Sequence, residues 1–451
     1  MSDRSRRTFL ALVGATTAGL AGCTGSDDDP EPQPTETETP NPTPTETEEA
    51  DDDGDDESAE REGDDEDDDD QEEPEEVFRY PAIDYGTAVD AFDEPRWRGR
   101  EGAEPIRVTD ERVSGTHAMR IERESAGSVR VVRQFPDGLD VSGQHLSMAV
   151  KVDGPLGGRI QIDLHAPTID QRHVSSRRLP VTMDDWLRVD FGLTRGVGSP
   201  DFSDVTQLHI EYVPPEAGDI RLWVDDLRAT EGVGRSHAIL AFYGGHVSQY
   251  EEAFPRLEAR GMRGVVAVSA GQIGREGRMT ESQLSELADA GWDVASLPTE
   301  RGRLPSLGAS EQHRVVERNR DRLTDLGFEA GARHFFAPHD RIDGDTLAAV
   351  RELHETGFVY GANSAGMVPT APHTIPVLNG NHLESSRAAI LRADRHEQLV
   401  VPRFEIVGNG GMSLSDFDAQ LDRLESNSYA GGLTVITASD LVDEFLRERV
   451  S

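Results

Sequence analysis

His237-Ala238-Ile239-Leu240-Ala241-Phe242-Tyr243-Gly244-Gly245 decides how the second half of this chain is read. Ile239 to Phe242 is a continuous apolar run closed by two glycines, the pattern of a parallel strand buried on both faces that hands its C-terminal end to a loop. Ser248 to Arg260 then has helical spacing, and Gly264 to Ser269 is a second apolar strand. The alternation continues through helix 280–290, strand 292–296, helix 310–326, strand 334–337, helix 343–355 and strand 358–361. A looser stretch follows, then a strand at 400–407, a helix at 414–426 and a strand at 432–436. Gly261, Gly291, Gly327 and Gly357 fall at helix ends, where a C-cap favours glycine. Residues 235–451 are thus expected to form a βα-repeat domain closing its own core. Periodicity alone does not choose between a barrel and an open sheet.

Upstream, residues 77–232 consist of short alternating runs such as Val129–Phe135, Leu146–Val152, Arg159–Leu164, Trp186–Phe191 and Ile220–Asp225, broken by Gly, Pro and Asp. That spacing predicts an antiparallel β-sandwich. It resembles the galactose-binding-like jelly-roll modules that accompany carbohydrate-active enzymes. Trp97, Trp186 and Trp223 are candidates for stacking on sugar rings, although alternating positions in strands suit the core better. Asp225 and Asp226 suggest a turn, or a structural calcium site.

The net charge of −41 is unevenly distributed: residues 24–76 hold 28 acids and one arginine, residues 1–23 contribute +2, and −16 remains for 77–451. Residues 24–76 are almost purely Pro, Thr, Glu and Asp, too polar and self-repelling to offset the entropy of ordering, so they read as a disordered tether. Lys151 is the single lysine among 45 basic residues. An acidic, arginine-for-lysine composition fits a halophilic protein, and a GC-rich genome gives the same arginine bias. Nucleic acid is excluded as a partner because like charges repel. At the start, Ser5-Arg6-Arg7-Thr8-Phe9-Leu10 and the apolar run to Leu20 resemble a twin-arginine export signal, and Leu20-Ala21-Gly22-Cys23 reads as a lipobox. Cys23, the one cysteine, would carry the lipid; residues 1–23 are then a lipoprotein signal, and the protein is expected on the outer face of the cytoplasmic membrane.

From residue 237 the chain resembles the polysaccharide deacetylases, which implies a distorted (β/α)7 barrel and a polysaccharide or surface glycan as partner. The family holds a divalent metal such as zinc with one aspartate and two histidines, and uses a second aspartate and a histidine for proton transfer. Its first motif, Thr-Phe-Asp-Asp-Gly, matches Ala241-Phe242-Tyr243-Gly244-Gly245, without either carboxylate. The two histidines, four residues apart, match Leu297 and Arg301 in the run Gly291 to Arg301. Arg-x-Pro-Tyr-Gly matches Phe336-Ala337-Pro338-His339-Asp340, and the last motif matches Leu433 to Thr437, which puts Thr437 at the acid's position. The resemblance therefore implies a deacetylase frame without its metal ligands, with no cofactor expected. Tyr243, His246, Glu300, Arg301, His339 and Asp340 are the candidate cleft residues, of which Tyr243, Arg301 and His339 would supply an aromatic platform, a fixed cation and a neutral donor for a sugar. Two alternatives stay open. One is a non-catalytic glycan-binding or envelope-organising protein. The other is a hydrolase whose acid and base have been relocated among His246, Glu300, His339, Asp340 and Asp343.

Overall fold

The computed structural model describes residues 82–451 apart from 125–126, 156, 181–184, 300–302, 427–432 and 448–451. The export signal, Cys23 and nearly all of the tether lie outside the described residues, as do Glu300 and Arg301.

Residues 87–231 form two six-stranded antiparallel sheets. One orders Glu104–Val108, Ala118–Arg123, Ile220–Glu231, Gln144–Asp153 and Leu187–Phe191, with Thr87–Asp90 on Ile220–Glu231; the other orders Leu193–Val197, Arg172–Arg178, Arg159–His165, Val205–Val213, Val129–Leu139 and Trp97–Arg100. Alternation sends Ile121, Met148, Val150, Val189, Leu222 and Val224 of the first sheet against Val131, Ile160, Ile162, Leu208 and Ile210 of the second, in one apolar core. The three tryptophans belong to the fold. Trp97 stacks on Phe92 and donates its indole N–H to Asp90 at 2.8 Å, while Trp186 and Trp223 bury themselves with Val108 and Ala149 on the back of the first sheet. The Asp225-Asp226 pair is neither a turn nor a cation site. It sits at a buried bulge inside Ile220–Glu231, where Asp225 accepts backbone N–H groups of Val113 and Ser114 and Asp226 pairs with Arg188 and Arg228 at 2.6 Å each.

Seven parallel strands close a barrel: Ala241–Tyr243, Val265–Val268, Asp293–Ser296, His334–Phe336, Thr356–Tyr360, Ile375–Asn379 and Pro402–Phe404, the last pairing with the first. Three expectations need correction. The run at 237–242 is two strands, because the sheet divides at Ile239-Leu240: Ser236–Ala238 pairs with Gln398–Val400 and Leu433–Val435, and only Ala241–Tyr243 enters the barrel. An all-apolar run hides such a break. The loose stretch after 361 holds the sixth barrel strand and a 13-residue helix, Leu383–Arg395. The strand at 433–435 lies outside the barrel, and the helical turns after it turn back across the start of the barrel strands. There Thr437 N-caps Ala438–Leu441, and Ser439 donates to Asp293 at 2.8 and 2.6 Å and bonds His334 at 3.1 Å, both of which begin their strands. Ile436, Ala438, Leu441, Val442 and Leu446 join the barrel interior from this N-terminal end.

The barrel does not close its core alone. Residues of the sandwich share a single apolar cluster with Val316, Phe335, Val350 and Val359 of the barrel side. Asp190, buried, accepts from Thr370 N at 3.1 Å, Thr370 Oγ1 at 2.7 Å and Ala371 N at 3.2 Å. Gly192 lies so close to the barrel that a Cβ there would sit 2.0 Å from the Ser364 carbonyl oxygen. Among the described residues, no helix is long and apolar enough to cross a membrane.

Candidate functional site at the barrel mouth

The C-terminal ends of the barrel strands deliver Tyr243, Leu297, Asp340 and Arg403 to one mouth, the end where barrels of this kind build their sites. Tyr243 ends the first strand with its ring edge-on to Phe336, centroids 5.5 Å apart, and its hydroxyl buried without a partner among the described residues. Burial holds that phenol protonated, far above the usual tyrosine range. Arg403, from the last strand, lies over the Tyr243 ring with its guanidinium carbon 5.0 Å from the centroid. Its guanidinium pairs with Asp340 and lies 3.4 Å from Glu405. Burial pushes the Asp340 carboxyl up and the adjacent guanidinium opposes that shift. His339 and Asp340 are consecutive non-glycine residues with left-handed backbone, φ 55° and 59°, a strained turn that aims Asp340 at Arg403.

A second arginine approaches from the other side. Arg278 donates to the Gly244 carbonyl at 2.6 Å, and its backbone forms an isolated β-bridge with that of His246; burial, with Arg278 adding to it, holds the His246 imidazole below its ordinary pKa. Gly244 has φ 89°, and a Cβ there would stand 2.7 Å from Arg278 Nη1, so the backbone itself disfavours an aspartate at this family metal position. Leu297, at the second, is buried against Tyr243 and Phe336.

The structure brings Tyr243 and Asp340 together through Arg403. His339 is exposed, and His246 pairs with Arg278 through the backbone as an isolated β-bridge. Asp343 is spent on capping helix Gly344–Leu353, accepting from Thr346 N at 2.9 Å and Gln312 Nε2 at 3.0 Å. Thr437 is at the opposite end of the barrel, so it does not stand at the acid's position; the residue delivered to the mouth by the closing strand is Arg403. Arg403, Arg278 and Glu405 were missed in the sequence. The signal for Arg403 is a lone charge in the run Val400-Val401-Pro402-Arg403-Phe404. A divalent cation does not fit this mouth: Gly244 and Leu297 offer no ligand, Arg403 and Arg278 are fixed cations, and among the described residues no three His, Cys, Asp or Glu side chains gather into a ligand set.

The fold and mouth define a deacetylase-like parallel barrel carrying an antiparallel β-sandwich. Sequence comparison finds similarity to the putative polysaccharide deacetylase YxkH of Bacillus subtilis (strain 168), 25% identical over 126 residues, covering 28% of this chain and 44% of that protein. The similarity is confined to this part of the chain, which spans less than half the length of the curated relative it matches. No family model matches it. Similar solved structures include the Xyl-CE4 domain of a multidomain xylanase from the hindgut metagenome of Trinervitermes trinervoides, with 14% identity, 47% of this chain and 91% of that one covered, and a TM-score of 0.35. A family 11 carbohydrate-binding module of a Clostridium thermocellum cellulosomal cellulase is similar at 17% identity, over 33% of this chain and 96% of that one, with a TM-score of 0.25.

Proposed function

We propose that this protein is a lipid-anchored, extracytoplasmic relative of the polysaccharide deacetylases that binds cell-surface glycans at its barrel mouth without metal-dependent deacetylation. The observation that carries the reading is Arg403, seated on Tyr243 and paired with Asp340 at the mouth where the family's chemistry would need a metal and free carboxylates. Because Arg403 covers the Tyr243 face, the expected aromatic platform is closed, and the groups left to recognise a polyhydroxylated ring are the guanidinium donors and the carboxylate acceptors of Asp340 and Glu405. The same guanidinium disfavours the relocated hydrolase. It pairs with Asp340 and lies 3.4 Å from Glu405, so it competes with a substrate for both carboxylates.

Incubated with acetylated chitooligosaccharides, the full chain is expected to retain the sugar and release no product, with or without chelator. Turnover that persists in chelator would replace this reading by the relocated hydrolase. The anchor rests on the Leu20 to Cys23 motif. Cys23→Ser is expected to move the protein from the membrane pellet to the soluble fraction, because it removes the one thiol that accepts lipid; retention of the variant in washed membranes would rule the anchor out.

A further inference from the structure

The outward face of the second sandwich sheet is a distinct surface. Cross-strand register places Arg100, Arg130, Glu211, Gln161 and Ser176 in one row across it, and Arg98, Val132, His209, Asp163, Val174 and Arg195 in the next. A third row holds Gln134, Gln207, His165 and Arg172. Side-chain contacts confirm the sharing of one face: Arg130 pairs with Glu211 at 2.6 Å, and the His165 and His209 rings lie 4.4 Å apart. The six strands span about 24 Å, several pyranose rings laid across the strands.

The charge is unlike the rest of the molecule. Residues 77–451 carry −16, yet the three rows of this face set Arg98, Arg100, Arg130, Arg172 and Arg195 against Asp163 and Glu211. Arg98, Arg100 and Arg195 are exposed and make no ion pair among the described residues. At the rim, Arg96, Arg98 and Arg100 line a groove of about 530 Å³ with Gln134, Pro136 and one carboxylate, Asp137. The middle of the face is polar and incompletely paired: Asp163 Oδ1 and Arg172 Nε are buried without partners among the described residues. Burial, with the nearby arginines adding to it, pushes His209 down to about 4, and burial lowers His165 too, so both imidazoles are neutral hydrogen-bonding groups at neutral pH.

We infer that this face binds an acidic polysaccharide, its carboxylates or sulfates held by the arginines at the two rims and its hydroxyls by Gln161, Asp163, Gln207 and His209 between them. The inference rests on the proposed glycan-binding role and adds a second site of stated charge. A neutral-centred face with cations at its edges suits a sugar chain with spaced charges better than a nucleic acid, whose phosphates need an unbroken basic track.

Affinity electrophoresis of the full chain in gels containing polygalacturonate, neutral β-glucan or double-stranded DNA tests it. Polygalacturonate is expected to retard the protein, the other two to do so far less. The triple variant Arg98→Gln/Arg100→Gln/Arg195→Gln, which breaks no ion pair, is expected to lose about tenfold in affinity for polygalacturonate. A second variant, His209→Ala, should weaken retention with the rim charges unchanged. Neutral glucan retained in place of polygalacturonate would overturn the acidic-ligand inference and leave the glycan-binding role standing; DNA retained equally well would show a generic polyanion surface and overturn it too. Retention by no glycan at either this face or the mouth would remove the proposed function itself.

Discussion

Acidification from pH 7 to 5 at constant salt is expected to remove several kcal/mol of folding stability. Burial holds His173, His209, His373 and His396 at about 4 and His354 at about 3, against 6.5 for an unconstrained imidazole. A folded-state pKa below the unfolded one means that the unfolded chain binds the extra protons, so stability is complete above about pH 6.5 and is lost as the pH falls toward 4. For the enclosed pair His354 and His373 the loss at pH 5 is about 2 kcal/mol each; His173, His209 and His396, which water reaches more easily, add less. Buried carboxyls oppose this: burial raises Asp163, Asp293, Asp340 and Asp394, while it also lowers His165, His237, His246 and His334, which add to the loss. Burial raises Asp225 to about 6, so that group regains about 1 kcal/mol over the same interval. Since whole domains are stable by only about 5–15 kcal/mol, the histidines decide the outcome. Urea midpoints measured at pH 7, 6 and 5 should fall at each step, and a constant or rising midpoint would contradict the burial of these side chains.

Asp190→Ala should be the most damaging single substitution at the seam between sandwich and barrel. It strands three buried donors, Thr370 N, Thr370 Oγ1 and Ala371 N, that no water-facing group replaces. Unsatisfied buried donors cost about 1–3 kcal/mol each, and the loss of a charged acceptor adds to that, so a destabilisation of about 3–5 kcal/mol is expected. Asp190→Asn keeps one acceptor oxygen and should cost less. Calorimetry reads both: the native chain should melt residues 82–451 in one transition, and the alanine variant should lower it by about 4–6 °C. Two transitions, with the barrel's unmoved, would show that the seam carries no stability. The same contacts revise the expectation for residues 235–451 expressed alone, which would expose Thr370, Ala371 and the Phe335 side of the shared core.

The parts of this architecture that were readable are those where burial imposes a period. Strands such as Val265–Val268 and Asp293–Ser296 are short buried runs that begin just after helix-capping glycines, and the sandwich strands alternate cleanly. Ile375–Asn379 escaped notice because Pro376 sits inside it and Pro372 and Gly380 flank it, residues that ordinarily argue against a strand; here the proline is tolerated in a short parallel strand closing the barrel. Helix Leu383–Arg395 buries small residues, Ser386, Ala389 and Ala393, beside Ile390, so its apolar stripe is faint. The mouth was half readable. Tyr243 and Asp340 follow from motif position, whereas Arg403 reaches them from 63 residues beyond Asp340 in sequence, and only closure of the barrel brings the two side chains together. Thr437 was misplaced for the converse reason: its strand fits the local motif, yet pairs outside the barrel and leads to the far end.

Guanidinium groups of Arg278 and Arg403 stand at the mouth that the proposed reading leaves without a metal. Elemental analysis of the purified full chain, dialysed in high salt without chelator and assayed in parallel for acetate release, tests that reading most directly. The arrangement of Gly244, Leu297, Arg278 and Arg403 predicts no stoichiometric transition metal and no acetate. About one equivalent of metal per chain, lost on His246→Ala or His339→Ala together with acetate release, would contradict it.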